Sequence, residues 1–297
     1  MKKVAVIILH FGEIKNTLNC LQSLNKIEDK KNIKVYIIDN GTNSISKGKI
    51  ISLQIKSKII KSSTNLGFSG GNNLGIKEAL KEGYKYIFIL NNDAVIRHNT
   101  IEKLIEPFNT NEFIGITCPI ITYYQNPERI WFAGGYLNKS FCYTRHSLIN
   151  KTLNEYIDSK EIGFATGAAM MIKREVFDKI GLFSEDYFLY WEDVDFCTRA
   201  RKKRYISYLV NKPLVFHKVS SSTGTEGKKT LSPIKAYYYA RNPFIFIKNN
   251  NFPEITGFLG QLFIRFPYYM LSIKDFTAFK SYIKGLIYGI KILLFSI

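Results

Sequence analysis

One boundary constrains the fold of this chain more than any other. The apolar run Tyr86-Ile87-Phe88-Ile89-Leu90 stops abruptly at three oxygen-bearing side chains, Asn91, Asn92 and Asp93. Five apolar residues in succession read as a strand covered on both faces, and such a strand belongs to a sheet with helices on either side. In open α/β sheets ligands bind beyond the carboxyl ends of the strands, so these three residues would stand at a crevice on a rigid support. A carboxylate flanked by amide oxygens suits Mg2+ or Mn2+ held mainly by a substrate's phosphates, because these ions keep few protein ligands. Asn and Asp also close strands as ordinary turns, and the tripeptide alone carries both readings.

The preceding chain has the matching alternation. Residues 3–9 form a β-branched run, Ile14, Leu18, Leu21 and Leu24 recur at helical spacing, and residues 34–38 form a second strand ending in Asp39-Asn40-Gly41. Residues 58–60 are a short third strand. Strand, helix, strand is the order of a parallel α/β sheet. The opening Met1-Lys2-Lys3 and its apolar run are too short for a signal peptide and lead into His10, Phe11, Gly12 and Glu13 without a small-residue cleavage site, so they read as a first strand.

The stretch Asn65-Leu66-Gly67-Phe68-Ser69-Gly70-Gly71-Asn72-Asn73-Leu74-Gly75 then opens a helix running to about residue 83. Glycines beside a helix N-terminus allow close backbone approach, and first-turn amides favour an anion such as a diphosphate. A tight loop that merely lets the helix pack on the sheet uses the same residues. The spacing fits neither a Rossmann nor a Walker pattern.

Beyond Asp93 the sequence predicts a helix over 100–108 that leads to an apolar segment over 113–121. Residues 123–159 read as hairpins and loops able to wall a pocket, and residues 163–172 as a buried strand rich in small residues. The next helix ends at Gly181, a left-handed cap. Tyr190-Trp191-Glu192-Asp193-Val194-Asp195-Phe196 then places three carboxylates among aromatics at the start of a helix continuing through Arg199 and Arg201. Carboxylates there answer the helix dipole, and one of them, desolvated by aromatic rings, could equally serve as a general base with a raised pKa. Two short strands follow, over 205–210 and 213–216, and the second delivers His217. Residues 218–229, full of Ser, Thr, Gly and Lys, have the make-up of a mobile loop that orders around phosphate.

From Pro233 the character changes. Aromatic and aliphatic residues mix with isolated Lys and Arg, and Pro243, Pro253 and Pro267 divide the segment into helices. Basic residues outnumber acidic ones by seven over 226–297. No stretch supplies the roughly twenty uncharged apolar residues of a spanning helix. Amphipathic helices resting on an anionic bilayer, or packed on the main domain, fit this composition.

The net charge of +18 asks for an anionic partner. The chain has no basic run interleaved with aromatics, no zinc-finger spacing and no RNA-recognition signature, which makes nucleic acid the weakest candidate. Four scattered cysteines, none in a Cys-x-x-Cys pair, argue against a zinc site or a disulfide framework and for a reducing, cytoplasmic compartment.

Taken in order, these motifs resemble family 2 glycosyltransferases of the GT-A fold, and the bacterial rhamnosyltransferase-like members in particular. The resemblance spans residues 4–250 and rests on Val-Tyr-Ile-Ile-Asp-Asn-Gly at 35–41, Asn-Leu-Gly-Phe-Ser-Gly-Gly-Asn-Asn at 65–73, Leu-Asn-Asn-Asp at 90–93, Tyr-Trp-Glu-Asp-Val-Asp-Phe-Cys at 190–197 and Phe-His-Lys at 216–218. It implies an α/β mixed sheet flanked by helices over residues 1–230, with a helical region over 231–297. By the same resemblance His10 and Phe11 border the nucleotide base and Asp39 accepts from its ring N–H. Asn65, Gly67, Gly71 and Asn92 line the nucleotide site.

Asp93 corresponds to the last carboxylate of the family's Asp-x-Asp metal motif. Asn91 stands at its first position, a departure that leaves fewer anionic ligands, and His217 corresponds to a His that in some members completes the metal sphere around Mg2+ or Mn2+. Asp193 corresponds to the catalytic base, with Trp191, Glu192 and Asp195 on the acceptor side. Tyr239, Arg241 and Asn242 match a family segment of undefined role. The implied reaction is inverting transfer from a dTDP- or UDP-linked sugar, dTDP-rhamnose first, to a glycan or lipid-linked acceptor at the inner face of the cytoplasmic membrane. A UDP-hexose or galactofuranose transferase is the alternative within the family. A non-catalytic nucleotide-sugar-binding or membrane-docking protein is the alternative of another class.

Overall fold

The computed structural model describes residues 3–50, 53–153, 158–219 and 231–295. The chain opens with β1 (Val4–His10), α1 (Ile14–Leu24), β2 (Ile33–Asn40), β3 (Lys56–Ser62), α2 (Gly67–Lys81) and β4 (Tyr86–Asn91). These strands lie parallel in the order β3-β2-β1-β4. β1, β2 and β4 are buried almost throughout, which is why their sequences are continuous apolar runs. β3 is an edge, and its exposed Lys56, Lys58 and Lys61 discourage pairing with another chain.

The chain continues with β5 (Ala94–Ile96), α3 (Thr100–Ile105), β6 (Ile114–Tyr123) and β7 (Ile130–Phe132). Next come a hairpin of β8 (Gly135–Asn138) and β9 (Tyr143–His146), then β10 (Lys160–Ile162) and β11 (Ala169–Lys173). β11 runs antiparallel between β4 and β6 and makes the sheet mixed. After α4 (Arg174–Ile180) and α5 (Glu192–Lys202), β12 (Ile206–His217) lies parallel to β6, with β5 and β10 antiparallel to it. Gly181 ends α4, its amide returning to the Phe177 carbonyl at 2.8 Å, but at φ 76° and ψ −164° it has positive φ without the αL geometry the sequence predicts.

Two strands depart from the sequence reading. β11 begins at Ala169, because Gly135 captures the backbone ahead of it: the Gly163 amide donates to the Gly135 carbonyl at 2.9 Å and the Gly135 amide to the Phe164 carbonyl at 3.0 Å. The small residues 163–168 therefore form a bend toward the crevice. β12 is one strand, since its register against β6 slips on either side of Pro213 and accommodates the missing N–H.

The C-terminal region comprises α6 (Pro233–Asn249), α7 (Glu254–Gly260), a π-helical turn (Gln261–Arg265), α8 (Phe266–Ser272) and α9 (Phe276–Phe295). Pro243 does not divide α6. Phe244, Ile245, Phe246 and Ile247 are buried beside it, with the last three packed in the main core, and this packing carries the helix past the lost hydrogen bond. Ala236, Ala240, Tyr269, Ala278 and Tyr282 form a second, smaller core. α9 lies so close to α6 that a Cβ on Gly285 would sit 2.2 Å from the Tyr237 carbonyl oxygen. No helix among the described residues is long and apolar enough to cross a membrane. Most of the loop expected over 218–229 lies outside the described residues.

Candidate active site

A cavity of about 520 Å³ opens beyond the carboxyl ends of the strands. Leu9 of β1, Asn40 of β2, Asn91 of β4 and His217 of β12 all reach it. The polar stop after Leu90 is thus a wall of the cavity rather than only a turn.

Asp93 and His217 meet there. β12 pairs with β5 so that His217 stands opposite Ala94, one residue beyond Asp93. This register sets His217 Nε2 2.9 Å from Asp93 Oδ1, with both residues 5% exposed. Trp131 packs edge-on against the imidazole at 4.4 Å, and Nδ1 of His217 is buried without a protein partner. No group of three or more His, Cys, Asp or Glu forms a cation cage among the described residues. A carboxylate and an imidazole at one point of a cavity, with the Asn91 side chain on the same wall, fit an ion that takes most of its ligands from a bound diphosphate.

The expected nucleotide residues divide into two groups. Phe11, Asn65, Gly67 and Asn92 line the cavity. Asn92 donates to the Phe11 carbonyl at 3.3 Å and to the Thr17 hydroxyl at 3.0 Å, which fixes the loop after β1. Gly67 has φ 70°, and a Cβ on it would lie 2.2 Å from the Phe188 carbonyl oxygen, so the close approach requires glycine.

His10, Asp39 and Gly71 do not line the cavity. The His10 ring is fully buried between Thr17 and Ser44, at 2.7 and 2.6 Å. Asp39 accepts from the hydroxyl and amide of Thr42 and from the Ile45 amide. Burial pushes its carboxyl up, but these donors outweigh burial and hold it below the usual carboxylate range. Gly71 lets α2 settle on β1, because a Cβ there would lie 2.3 Å from Leu9 Cδ1.

Three amides at the start of α2, where an anion site is expected, are already taken. The amides of Leu66, Gly67 and Phe68 donate to Asn40 Oδ1, Asn65 Oδ1 and the Phe188 carbonyl at 2.9, 2.9 and 2.7 Å.

The three carboxylates of α5 face different surroundings. Tyr190 and Trp191 are both left-handed, at φ 68° and 76°, and this bend turns Asp193 to the cavity wall. Asp193 Oδ2 accepts from the Gly167 amide at 3.1 Å and Oδ1 from the Val194 amide at 2.8 Å. Burial pushes its carboxyl up to about 6 against the pull of these amides. Glu192 also lines the cavity, with Oε2 buried and lacking a protein partner, and burial reinforced by the charge of Asp193 raises it well above its ordinary value.

Asp195 corrects the expectation of an acceptor-side role. It is 1% exposed and turned away from the cavity, accepting from Arg199 Nε at 2.7 Å and Asn250 Nδ2 at 2.8 Å. Arg199 in turn donates to the carbonyls of Ile180 and Leu182, so Asp195 joins α5 to the end of α4. Trp191 lines the cavity and packs 5.2 Å from Phe246.

Further residues of the wall escaped the sequence reading. Lys235 of α6 reaches it, its ammonium pushed down to about 8 by burial although Asp93 pulls it up. His146 of β9 reaches it too, with burial driving its imidazole down to about 4. Arg265, Tyr268 and Tyr269 from the C-terminal helices reach it as well, beside Tyr239 of α6, which the sequence reading singles out without a role. The proline at the start of α6 and the Arg-Phe-Pro-Tyr-Tyr string at 265–269 are the local signals that mark these turns.

Comparison with known proteins accords with this geometry. Residues 5–181 match the family described as "Glycosyl transferase family 2". The chain is 26% identical over 268 residues to "dTDP-rhamnosyl transferase RfbF" of Shigella flexneri, covering 87% of this chain and 84% of that protein. It is 34% identical over 67 residues, 23% of this chain and 22% of the relative, to "N-acetylglucosaminyl-diphospho-decaprenol L-rhamnosyltransferase" of Mycobacterium tuberculosis. Among solved structures, S. aureus TarS 1–349 in complex with UDP-GlcNAc aligns with a TM-score of 0.60 at 15% identity, over 98% of this chain and 81% of that one. That likeness concerns the fold, a GT-A mixed sheet flanked by helices. With a family match over more than half of its length, the chain belongs to glycosyl transferase family 2 and is a glycosyltransferase.

Proposed function

We propose that the chain transfers a sugar, with inversion, from a nucleoside-diphosphate donor to a hydroxyl of a glycan or lipid-linked acceptor, with Asp193 as general base. The observation that carries this reading is the shared cavity: a desolvated carboxylate held by two backbone amides stands in one space with the Asp93–His217 pair. An inverting displacement needs a base at the attacking oxygen and positive charge at the departing diphosphate. Asp193 is oriented for the first, because the amides of Gly167 and Val194 fix its carboxyl plane. Lys235 supplies positive charge near Asp93. Asp93 and His217, with Asn91 beside them, would hold Mg2+ or Mn2+, which when bound neutralises diphosphate charge.

The donor best supported is dTDP-rhamnose, from the relative that matches over most of the chain. Residues 1–230 would form the transferase domain. Residues 231–297 would rest on the cytoplasmic face of an anionic membrane, a placement favoured by the exposure of Ile255 (77%) and Phe276 (67%) together with the basic excess. A thermal-shift panel of nucleotide-sugars with and without Mn2+ tests the reading. dTDP-rhamnose with Mn2+ should raise the melting temperature most, by mass action. A panel in which no nucleotide-sugar moves it would overturn the proposal.

A further inference from the structure

Trp131 enters the cavity wall from an irregularity in the sheet. Ile121 of β6 stands opposite Phe132 and Thr122 opposite Ile130, so two consecutive residues of β6 oppose three of β7 and Trp131 is the extra one. A bulge of this kind re-aims a side chain. Ile130 and Phe132 are fully buried on either side of it in sequence, whereas Trp131 is half-buried and lines the cavity.

The same strand brings the indole to the Asp93–His217 pair. β6 also pairs with β12, with Tyr123 opposite His217, so the bulge lies beside the end of β12. The rings of Trp131 and His217 are 4.4 Å apart and cross at 70°, and those of Trp131 and His146 are 5.2 Å apart and cross at 82°. Two imidazoles crossing the indole leave it little freedom to turn.

Gly135 assembles the rest of this corner. It pairs with His146 in the hairpin and bridges to Phe164, and a Cβ on it would lie 2.4 Å from Phe164 Cε1. His146 and Phe164 both line the cavity and pack on the ring of Phe132, at 4.9 and 6.2 Å. Arg145 of the same hairpin reaches the cavity but lies over the Tyr136 ring at 4.7 Å. The carboxylates of the cavity stand elsewhere, Asp93 beyond β4 and Glu192 and Asp193 at the start of α5. Beside the Asp93–His217 pair the wall is therefore mostly ring surface.

A sugar carried by a diphosphate at that pair, with its anomeric carbon open toward Asp193, meets polar groups at both ends and this corner along its flank. The negative face of an indole attracts the positively polarised C–H bonds of a sugar. A hydroxyl pressed on the same rings gives up water without gaining a partner.

We infer that Trp131 reads the donor sugar: it seats the apolar edge that carries the 6-methyl group and disfavours the hexose with a hydroxyl at that carbon. The inference rests on the transferase reading of the cavity and assigns donor choice to a residue outside the motifs of the chain.

Calorimetric titration of the full chain in Mn2+ with dTDP-L-rhamnose, dTDP-L-mannose, dTDP and UDP tests this. The two sugars differ only in the 6-hydroxyl. The parent should bind dTDP-L-rhamnose about tenfold more tightly than dTDP-L-mannose, within the reach of an apolar pocket against an added hydroxyl. Trp131→Ala should bring the two within about twofold of each other and Trp131→Phe should keep part of the preference, while dTDP affinity stays within about twofold of the parent in both. Melting temperatures confirm that the variants are folded.

An unchanged preference in Trp131→Ala overturns the inference. So does a parent that binds the two sugars equally, or one that binds dTDP or UDP and gains nothing from either sugar. A fall in dTDP affinity that matches the fall in dTDP-L-rhamnose affinity in both variants also overturns it, because Trp131 would then only brace His217. A parent that binds neither dTDP nor UDP instead removes the transferase reading, and the inference with it.

Discussion

The side-chain amide of Asn242 donates to the Tyr190 carbonyl at 2.7 Å and, through the same nitrogen, to the Leu189 carbonyl at 2.9 Å. Asn242 is fully buried in α6, and the two carbonyls flank Tyr190, the first of the left-handed pair Tyr190 and Trp191 that aims Asp193. A strained bend persists only where its surroundings over-determine it. Asn242 is that restraint, and it ties the C-terminal region to the chemistry of α5.

Replacing Asn242 with Leu removes the side-chain nitrogen that makes both bonds while keeping the branched shape. Two part-buried carbonyls lose this donor, which should cost about 1 to 2 kcal/mol in unfolding free energy. Turnover should fall further than nucleotide affinity, because the displaced group is Asp193 and not the Asp93 end. Calorimetry, nucleotide titration and steady-state assay of one variant separate these effects.

Local patterns explain what could be read in advance. The run 86–90 and its polar stop lie together in sequence, so β4 and the position of Asp93 follow from burial alone. The start of α5 is equally local, with its carboxylates beside aromatics. The division of labour among Glu192, Asp193 and Asp195 is not, because it depends on Gly167, from the bend before β11, and Asn250, from the end of α6.

Pairings across long separations were hidden for the same reason. Nothing near His10 in sequence says that Ser44 would take its ring nitrogen. Arg265 stands alone in an apolar stretch and reads as an amphipathic surface residue until the π-helical turn points it into the cavity.

Asp93→Ala should remove most of the Mn2+-dependent affinity for nucleoside diphosphate, and His217→Ala should weaken it less, since the carboxylate carries the charge. Titrations of UDP and dTDP with and without Mn2+ check this. An unchanged affinity in Asp93→Ala would mean that the pair only fastens β12 to the loop after β4.

Association with anionic vesicles should be strong at low ionic strength and fall steeply as salt rises, because part of the attraction is electrostatic. Leu271→Asp with Phe276→Asp places charge on the exposed apolar side and should abolish pelleting while the melting temperature stays near that of the parent. A parent chain that stays in the supernatant at low salt contradicts the membrane placement.

The raised carboxyl of Asp193 has a stability signature. Its folded-state pKa near 6 lies above the unfolded value, so the folded state binds more protons between them. The contribution is fully present below the unfolded pKa and is lost as pH rises through about 6. In Asp193→Asn this loss is absent. The melting temperature of the variant relative to the parent should therefore move in the variant's favour between about pH 4 and pH 7 and change little above that. A difference independent of pH would mean that Asp193 has an ordinary pKa.

The central claim is that Asp193 takes the proton of the attacking hydroxyl, and the direct measurement is transfer rate beside donor affinity in Asp193→Asn. The amide keeps the shape but accepts no proton, and a positioned base is worth about 10² to 10⁴ in rate. Turnover should fall by that range while nucleotide-sugar affinity stays near the parent's. Glu192→Gln should be milder, and Asp195→Asn should act mainly by lowering stability. Transfer by Asp193→Asn at close to the parent rate, with abolition in Glu192→Gln, would contradict the account and move the base to Glu192.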